Sequence, residues 1–439
     1  MGWRGSLLST ASAACLAAAL IVLRSAVSAA DTSGDLQTVA ALLQAQKYHE
    51  AIDAATAVLA HDPNSVKALV YRGWARGALG DFVGEIADDD AALALQPHNA
   101  IALQARAIAR GNRGDWNGEI VDATAVLALD RTSVLAYVDR GVAEGNLGRW
   151  QAEIEDETAA LKLDSKNVLA YVDRGVARGN RNDFKGQLAD EAAAIALDPK
   201  DALGYLNRGV ARGKLGDWKG EIADESAAIA LDPKNPLAYA DRGVARGNTG
   251  DYRGEVDDEN AAIRLDPHDA AAYLHKTYAD ERLMDWRAEL ADANAAIALD
   301  PRDATAYLAR AYAHANLAAW KEMAADADAA IALEPKNSLA YIDRAFARAS
   351  LGDRAGALAD MDAAVALEPK EALVFVGRSY ARQNAGDMKG AIADADAALA
   401  LDPKSTAAYL ARSGARSGLD DYQGAIADAK AALGLDPAN

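Results

Sequence analysis

The chain has 439 residues, is rich in alanine and other strong helix formers, and contains only 4 Phe and 1 Cys. No stretch alternates Val, Ile and Thr as a strand would require. Its 46 basic and 65 acidic residues give a formal charge of −19, which argues against nucleic-acid binding and anionic membrane surfaces and favours basic partners.

In chain order, the first element is an export signal. Arg4 supplies a positive start, Ala13 to Leu23 is an unbroken apolar run, and the small residues Ser28 and Ala30 fit signal-peptidase cleavage before Asp31. Residues 1–30 read as a signal peptide, so the mature chain is expected to be periplasmic or secreted, without stable membrane insertion. Two other readings stand beside it. Residues 7–23, at the short limit for a span, would form a membrane anchor. Cys15 would be a lipoprotein cysteine, although Ser12-Ala13-Ala14 lacks the usual leucine. A mature chain without Cys15 has no disulfide and depends on packing for its stability.

Prolines then set a period. Pro63, Pro97, Pro199, Pro233, Pro267, Pro301, Pro335, Pro369, Pro403 and Pro437 are separated by multiples of 34, with Arg131 and Ser165 filling the gaps and only Pro236 out of phase. Counting from Thr32, twelve 34-residue units fill 32–439: 32–65, 66–99, 100–133, 134–167, 168–201, 202–235, 236–269, 270–303, 304–337, 338–371, 372–405 and 406–439. Each reads as two helices. In the fifth the first runs from Val168 to about Gly179, a polar turn follows, and the second runs from Phe184 to Leu197. Asp-Pro ends it, because proline cannot continue a helix.

Tyr at position 4 (Tyr171, Tyr205, Tyr239), Gly at 8 (Gly175, Gly209, Gly243), Gly-Asp before an aromatic, Ala at 27 (Ala194, Ala228, Ala262) and Pro at 32 resemble the tetratricopeptide repeat, over all of 32–439. The resemblance implies an all-α, right-handed α-solenoid whose first helices line a concave groove for peptides or partner proteins. It implies no chemistry and no cofactor.

The array departs from that pattern in a patterned way. Position 7 is basic and position 23 is Asp in repeats 2–12, Arg174 with Asp190, Arg208 with Asp224 and Arg242 with Asp258 among them. Repeat 1 lacks both, with Thr38 and Ala54. Residues that appear and vanish together are expected to form structural ion pairs, within a repeat or between neighbours. Position 20 is expected to pack on position 8. Glu85, Glu153, Gln187, Glu221 and Glu255 accompany Gly73, Gly141, Gly175, Gly209 and Gly243, whereas Ala357, Ala391 and Ala425 accompany Ala345, Ser379 and Ser413. Glu119 with Ala107 and Glu289 with Thr277 break the pattern. Arg212, at position 11, is within reach of both Glu221 and Glu225.

By resemblance, positions 2, 5, 6, 9, 12 and 13 look into the groove. They include Asp139, Asp173, Asp241 and Asp343 at position 6, set among Leu and Val that either contact a ligand or seal neighbouring helices. At position 9, valines give way to Tyr278, Tyr312, Phe346 and Tyr380, which read as ligand anchors or as inter-repeat packing. At position 13, Asn146, Asn180, Asn248 and Asn316 form either an amide ladder for a peptide backbone or ordinary helix ends. The last helix carries Ile426, Ala429 and Leu433, a stripe available for self-association. No His-Glu-x-x-His, Cys-x-x-Cys, phosphate loop or nucleophile elbow appears. The expected function is a non-catalytic scaffold for a protein or peptide with apolar and basic character. A structural spacer or self-assembling rod is the alternative, and an enzyme stands behind both.

Overall fold

A computed structural model describes residues 34–436. The signal, the anchor alternative, Cys15 and Pro437 lie outside the described residues. Among those described there are 24 helices and no strand. Helix starts recur at Val66, Ala100, Val134, Val168, Ala202, Pro236, Ala270, Ala304, Ser338, Ala372 and Thr406, every 34 residues. In repeat 5 the first helix is Val168–Asn180, one residue longer than the sequence reading, and the second is Phe184–Leu197.

Local chemistry sets the ends. Asn, Asp or Ser caps most first helices, as Asn167 does by accepting from Ala170 N. Asp at position 16 caps the second: Asp183 accepts from Gly186 N at 3.0 Å. Between them, position 15 turns through the left-handed region, with Gly148 at φ 74° and Gly216 at φ 80°. Met284 holds the same conformation without glycine's freedom, at φ 58°.

The chain divides into two compact units, up to Leu231 and from Asp232. Each is an α-solenoid segment: a first helix packs on its own second helix, which packs on the first helix of the next repeat. The short turns make successive helices antiparallel. Alanine dominates the contacts, with Ala136, Ala160, Ala170 and Ala194 fully buried in the first unit and Ala340, Ala364, Ala398 and Ala408 in the second. Small side chains allow close helix approach. They also leave little room for anything larger.

Candidate functional site

The basic residue at position 7 meets the aspartate at position 23 of the same repeat. Arg208 Nη2 donates to Asp224 Oδ1 at 2.6 Å and its Nε to Oδ2 at 2.9 Å, a two-point pair. Arg174–Asp190 and Arg242–Asp258 repeat it at 2.6 and 2.7 Å. The position-4 aromatic covers the guanidinium, as Tyr205 does with its ring centroid 5.4 Å from Arg208. The remaining Nη1 tethers the preceding repeat: Arg174 donates to Thr158 at 3.1 Å and Arg378 to Asp362 at 3.0 Å. The pair thus joins helices within a repeat and repeats to one another.

Arg212 does not take the partners expected of it. Its Nη1 donates to Asp224 Oδ2 at 2.9 Å and to the Gly220 carbonyl at 3.0 Å, rather than to Glu221 or Glu225. Arg178, Arg382 and Arg416 do the same with Asp190, Asp394 and Asp428. Positions 7 and 11 are one turn apart, so both guanidiniums converge on one carboxylate. Arg at position 11 therefore persists in repeats 10–12, where the glutamates are absent.

The backbone at position 20 lies against position 8 as expected, with Ser379 Oγ and Ser413 Oγ donating to the Ala391 and Ala425 carbonyls at 2.8 Å, but the side chain at position 20 packs on position 12. A Cβ on Gly145 would fall 2.4 Å from Glu153 Oε2, and one on Gly111 2.4 Å from Glu119 Oε2. In repeats 4–6 the side chain at position 24 fills the space beside the position-8 glycine: a Cβ on Gly141 would fall 2.4 Å from Glu157 Oε1. Helical side chains tilt toward their own N-terminus, which in an antiparallel pair points position 20 toward the turn and past position 8. Glu119 thereby joins the pattern, since its neighbour is Gly111. Glu289 stays outside it, with Glu281 at its position 12.

Position 24 was missed in the sequence, although Glu157, Glu191, Glu225 and Glu259 occur only in repeats with Gly at position 8. These glutamates are fully buried. Burial, then the neighbouring acid Asp173, holds Glu153 up at about 9. Glu119 is also at about 9, through burial and then Asp139. Burial and neighbouring carboxylates likewise raise Glu157 well above the ordinary range. Such groups remain protonated at neutral pH.

The four position-6 aspartates do not share one environment. Asp139 is buried and accepts from Gln104 Nε2, so it is closed to a ligand, contrary to the sequence reading. A packed amide from the preceding repeat occupies the place assigned to one. Asp173, Asp241 and Asp343 are half-buried. Burial pushes Asp173 and Asp343 up to about 7. The position-13 amides turn back on their own helices: Asn146, Asn180, Asn248 and Asn316 donate to Val142, Val176, Val244 and Tyr312 carbonyls at 2.9–3.0 Å. Their side-chain nitrogens are engaged at helix ends, and all four residues are exposed.

The position-9 aromatics combine packing with exposure. Tyr278, Tyr312 and Phe346 make edge-on contacts with Tyr252, Trp286 and Trp320 of the preceding repeats, centroids 6.4, 6.0 and 5.5 Å apart. They nevertheless remain 52, 43 and 55% exposed, and Tyr380, preceded at position 17 by Arg354, is 43% exposed. Leu339 and Leu373, at position 2 of repeats 10 and 11, are 60 and 65% exposed. In the last helix, Ile426 and Leu433 are exposed and Ala429 is half-buried. Among the described residues no cluster of His, Cys, Asp and Glu has metal-binding geometry, and no helix is long and apolar enough to cross a membrane.

No family model and no curated protein matches the sequence. Solved structures with the same helix-pair architecture do. The APC/C hetero-tetramer Cut9–Hcn1 is similar over 93% of this chain and 95% of its own, at 13% identity and TM-score 0.48. A tetratricopeptide repeat protein from Parabacteroides merdae is similar over 56% of this chain and 98% of its own, at 15% identity and TM-score 0.45. YrrB, a TPR protein with an unusual peptide-binding site, covers 42% of this chain with 95% of its own, at 20% identity and TM-score 0.38. In period, helix pairing and residue pattern, the repeats resemble the tetratricopeptide repeat.

Proposed function

We propose that this chain is an exported, non-catalytic scaffold that binds a protein or peptide along the first-helix face of its repeats, chiefly repeats 8–11. The observation that carries this reading is the row Tyr278, Tyr312, Phe346 and Tyr380, each roughly half exposed, where repeats 4–7 have valine. Aromatic side chains supply large contact area with few rotors, and are the residues that dominate binding energy at interfaces. Leu339 and Leu373 extend the apolar surface, and Asp343 adds an acceptor for a basic side chain. The export assignment rests on residues 1–30 of the sequence alone.

Affinity capture from envelope extract with the chain from Asp31 onward tests the reading. A recurrent partner that is lost from the Tyr312→Ala/Tyr380→Ala variant supports it. Recovery of the chain itself and nothing else supports the spacer or rod.

A further inference from the structure

Within each unit, a seam between repeats places positions 20 and 24 of one second helix against position 6 of the next first helix, so these seams can be compared with one another. Between repeats 7 and 8 the three positions hold Glu255, Glu259 and His275, and His275 Nδ1 lies 3.1 Å from Glu259 Oε1. Between repeats 5 and 6 they hold Gln187, Glu191 and Asn207. Gln187 Nε2 donates to the Asn207 carbonyl at 3.3 Å, and the Asn207 amide favours the ionised form of Glu191 without reaching strict hydrogen-bond geometry. Between repeats 10 and 11 there is no acid; Met361 lies against Gly377. In each of these seams the chain fills or offsets the site with its own side chains.

The seam between repeats 4 and 5 has no such partner. It holds Glu153, Glu157 and Asp173, three acids and no nitrogen donor. Glu157 is 0% exposed, and neither of its oxygens has a hydrogen-bond partner. The guanidiniums on the flanking first helices are committed elsewhere, Arg140 to Asp156 and Arg174 to Asp190. The remaining acid across the seam, Asp139, is engaged by Gln104. Asp173 lies at the edge of the seam: it is partly exposed on the helix face that also carries Leu169, exposed, and Val176.

We propose that this seam receives one cationic side chain, a lysine or arginine from a segment bound along the first-helix face, in the place that His275 occupies between repeats 7 and 8. The proposal rests on the binding reading above. An entering ammonium or guanidinium gives Glu157 and Asp173 the cationic partner that the chain withholds, and buried carboxyls gain most from such a partner because they have no solvent to pair with. The cation favours their ionised forms, so the proton displaced from the seam passes to the buffer. A metal ion is the poorer fit, since these oxygens do not converge at ligand distance among the described residues. A side chain spans the wider spacing.

Two short peptides test this, one alternating leucine with lysine and the other leucine with glutamine, titrated by fluorescence anisotropy and by calorimetry in two buffers of different ionisation enthalpy. The lysine peptide is expected to bind roughly tenfold more tightly and to release about one proton. Asp173→Asn and Asp173→His are expected to bring both peptides within about twofold of each other and to abolish proton release, the histidine by filling the seam from within. Glu322→Gln, at an exposed acid on a second helix of repeat 9, is expected to leave the preference in place. Both Asp173 changes remove a like charge from a buried acid cluster, and their melting temperatures should equal or exceed that of the parent chain. Equal affinities for the parent chain, or a lysine preference that survives in Asp173→Asn, overturn the seam assignment while leaving the binding reading intact. Lysine preference without proton release means that charge is read at the surface and the seam holds protons only. If neither peptide binds, the binding reading fails and the seam assignment with it.

Discussion

Asp224 accepts from two arginines of its own repeat, Arg208 and Arg212, and is nearly buried while Arg208 is four-fifths covered. A single buried ion pair returns little net stability, because desolvation offsets the Coulomb gain, but removing one partner leaves an uncompensated charge. Arg208→Ala should therefore cost about 3 kcal/mol, at the low end for a broken buried pair because Arg212 still holds Asp224. Urea unfolding, with amide exchange followed in repeat 6, reads the loss where it occurs. A change below about 1 kcal/mol would mean that the pair behaves as an exposed one. The co-occurrence of positions 7 and 23 in the sequence pointed to these two residues. It did not show that Arg212 shares the aspartate, because position 11 also lies near two glutamates and a one-letter pattern carries no side-chain direction.

On the scale of a helix pair, the array contains two solutions to the same packing problem. In repeats 2–4, 6 and 7, glycine at position 12 admits a glutamate at position 20, whereas in repeat 10 Ala349 packs against the cluster that holds Ala357. Gly145→Ala alone would drive a methyl group into Glu153 and should cost roughly 1–3 kcal/mol, the usual range for overpacking. Gly145→Ala with Glu153→Ala recreates the alanine solution and should recover that loss, since it also removes a buried carboxyl. A thermal double-mutant cycle measures the recovery. Additive losses would refute the pairing. Helix pairs, their ends and the 34-residue period were legible in the sequence because proline, capping aspartate and glycine act locally. The partners of position 20 were not. Choosing between the glycine at position 8 and the glycine at position 12 requires knowing that the side chain leans toward the turn. Asp139 illustrates the same limit: its register suits the groove, but Gln104, 35 residues earlier, covers it.

Over the whole molecule, buried carboxyls set an unusual dependence on pH. Glu85 and Glu289 are held at about 8, Glu119 and Glu153 at about 9, and Asp139, Asp173 and Asp343 at about 7, in each case chiefly by burial. The folded chain keeps protons that the unfolded chain has already released. Their contribution is complete below the unfolded values, near 4.5 for Glu and 3.8 for Asp, and is lost as pH rises through 7 to 9. The melting temperature should thus rise as pH falls from 9 to 6, and the trend should flatten when Glu119 and Glu153 are both replaced by Gln. A melting temperature that climbs with pH over this range would mean that these carboxyls are ionised in the fold. The formal charge of −19 acts in the same direction, so the flattening, rather than the slope itself, identifies the glutamates.

The proposed binding face is the row of half-exposed aromatics on the first helices of repeats 8–11. The most direct measurement is the affinity of the captured partner for the parent chain and for Tyr312→Ala/Tyr380→Ala, by calorimetry at matched folded fraction. Loss of two exposed anchors should weaken binding by roughly a hundredfold or more, with little change in melting temperature because neither ring is buried. Unchanged affinity, with folding also unchanged, would contradict the assignment of this face.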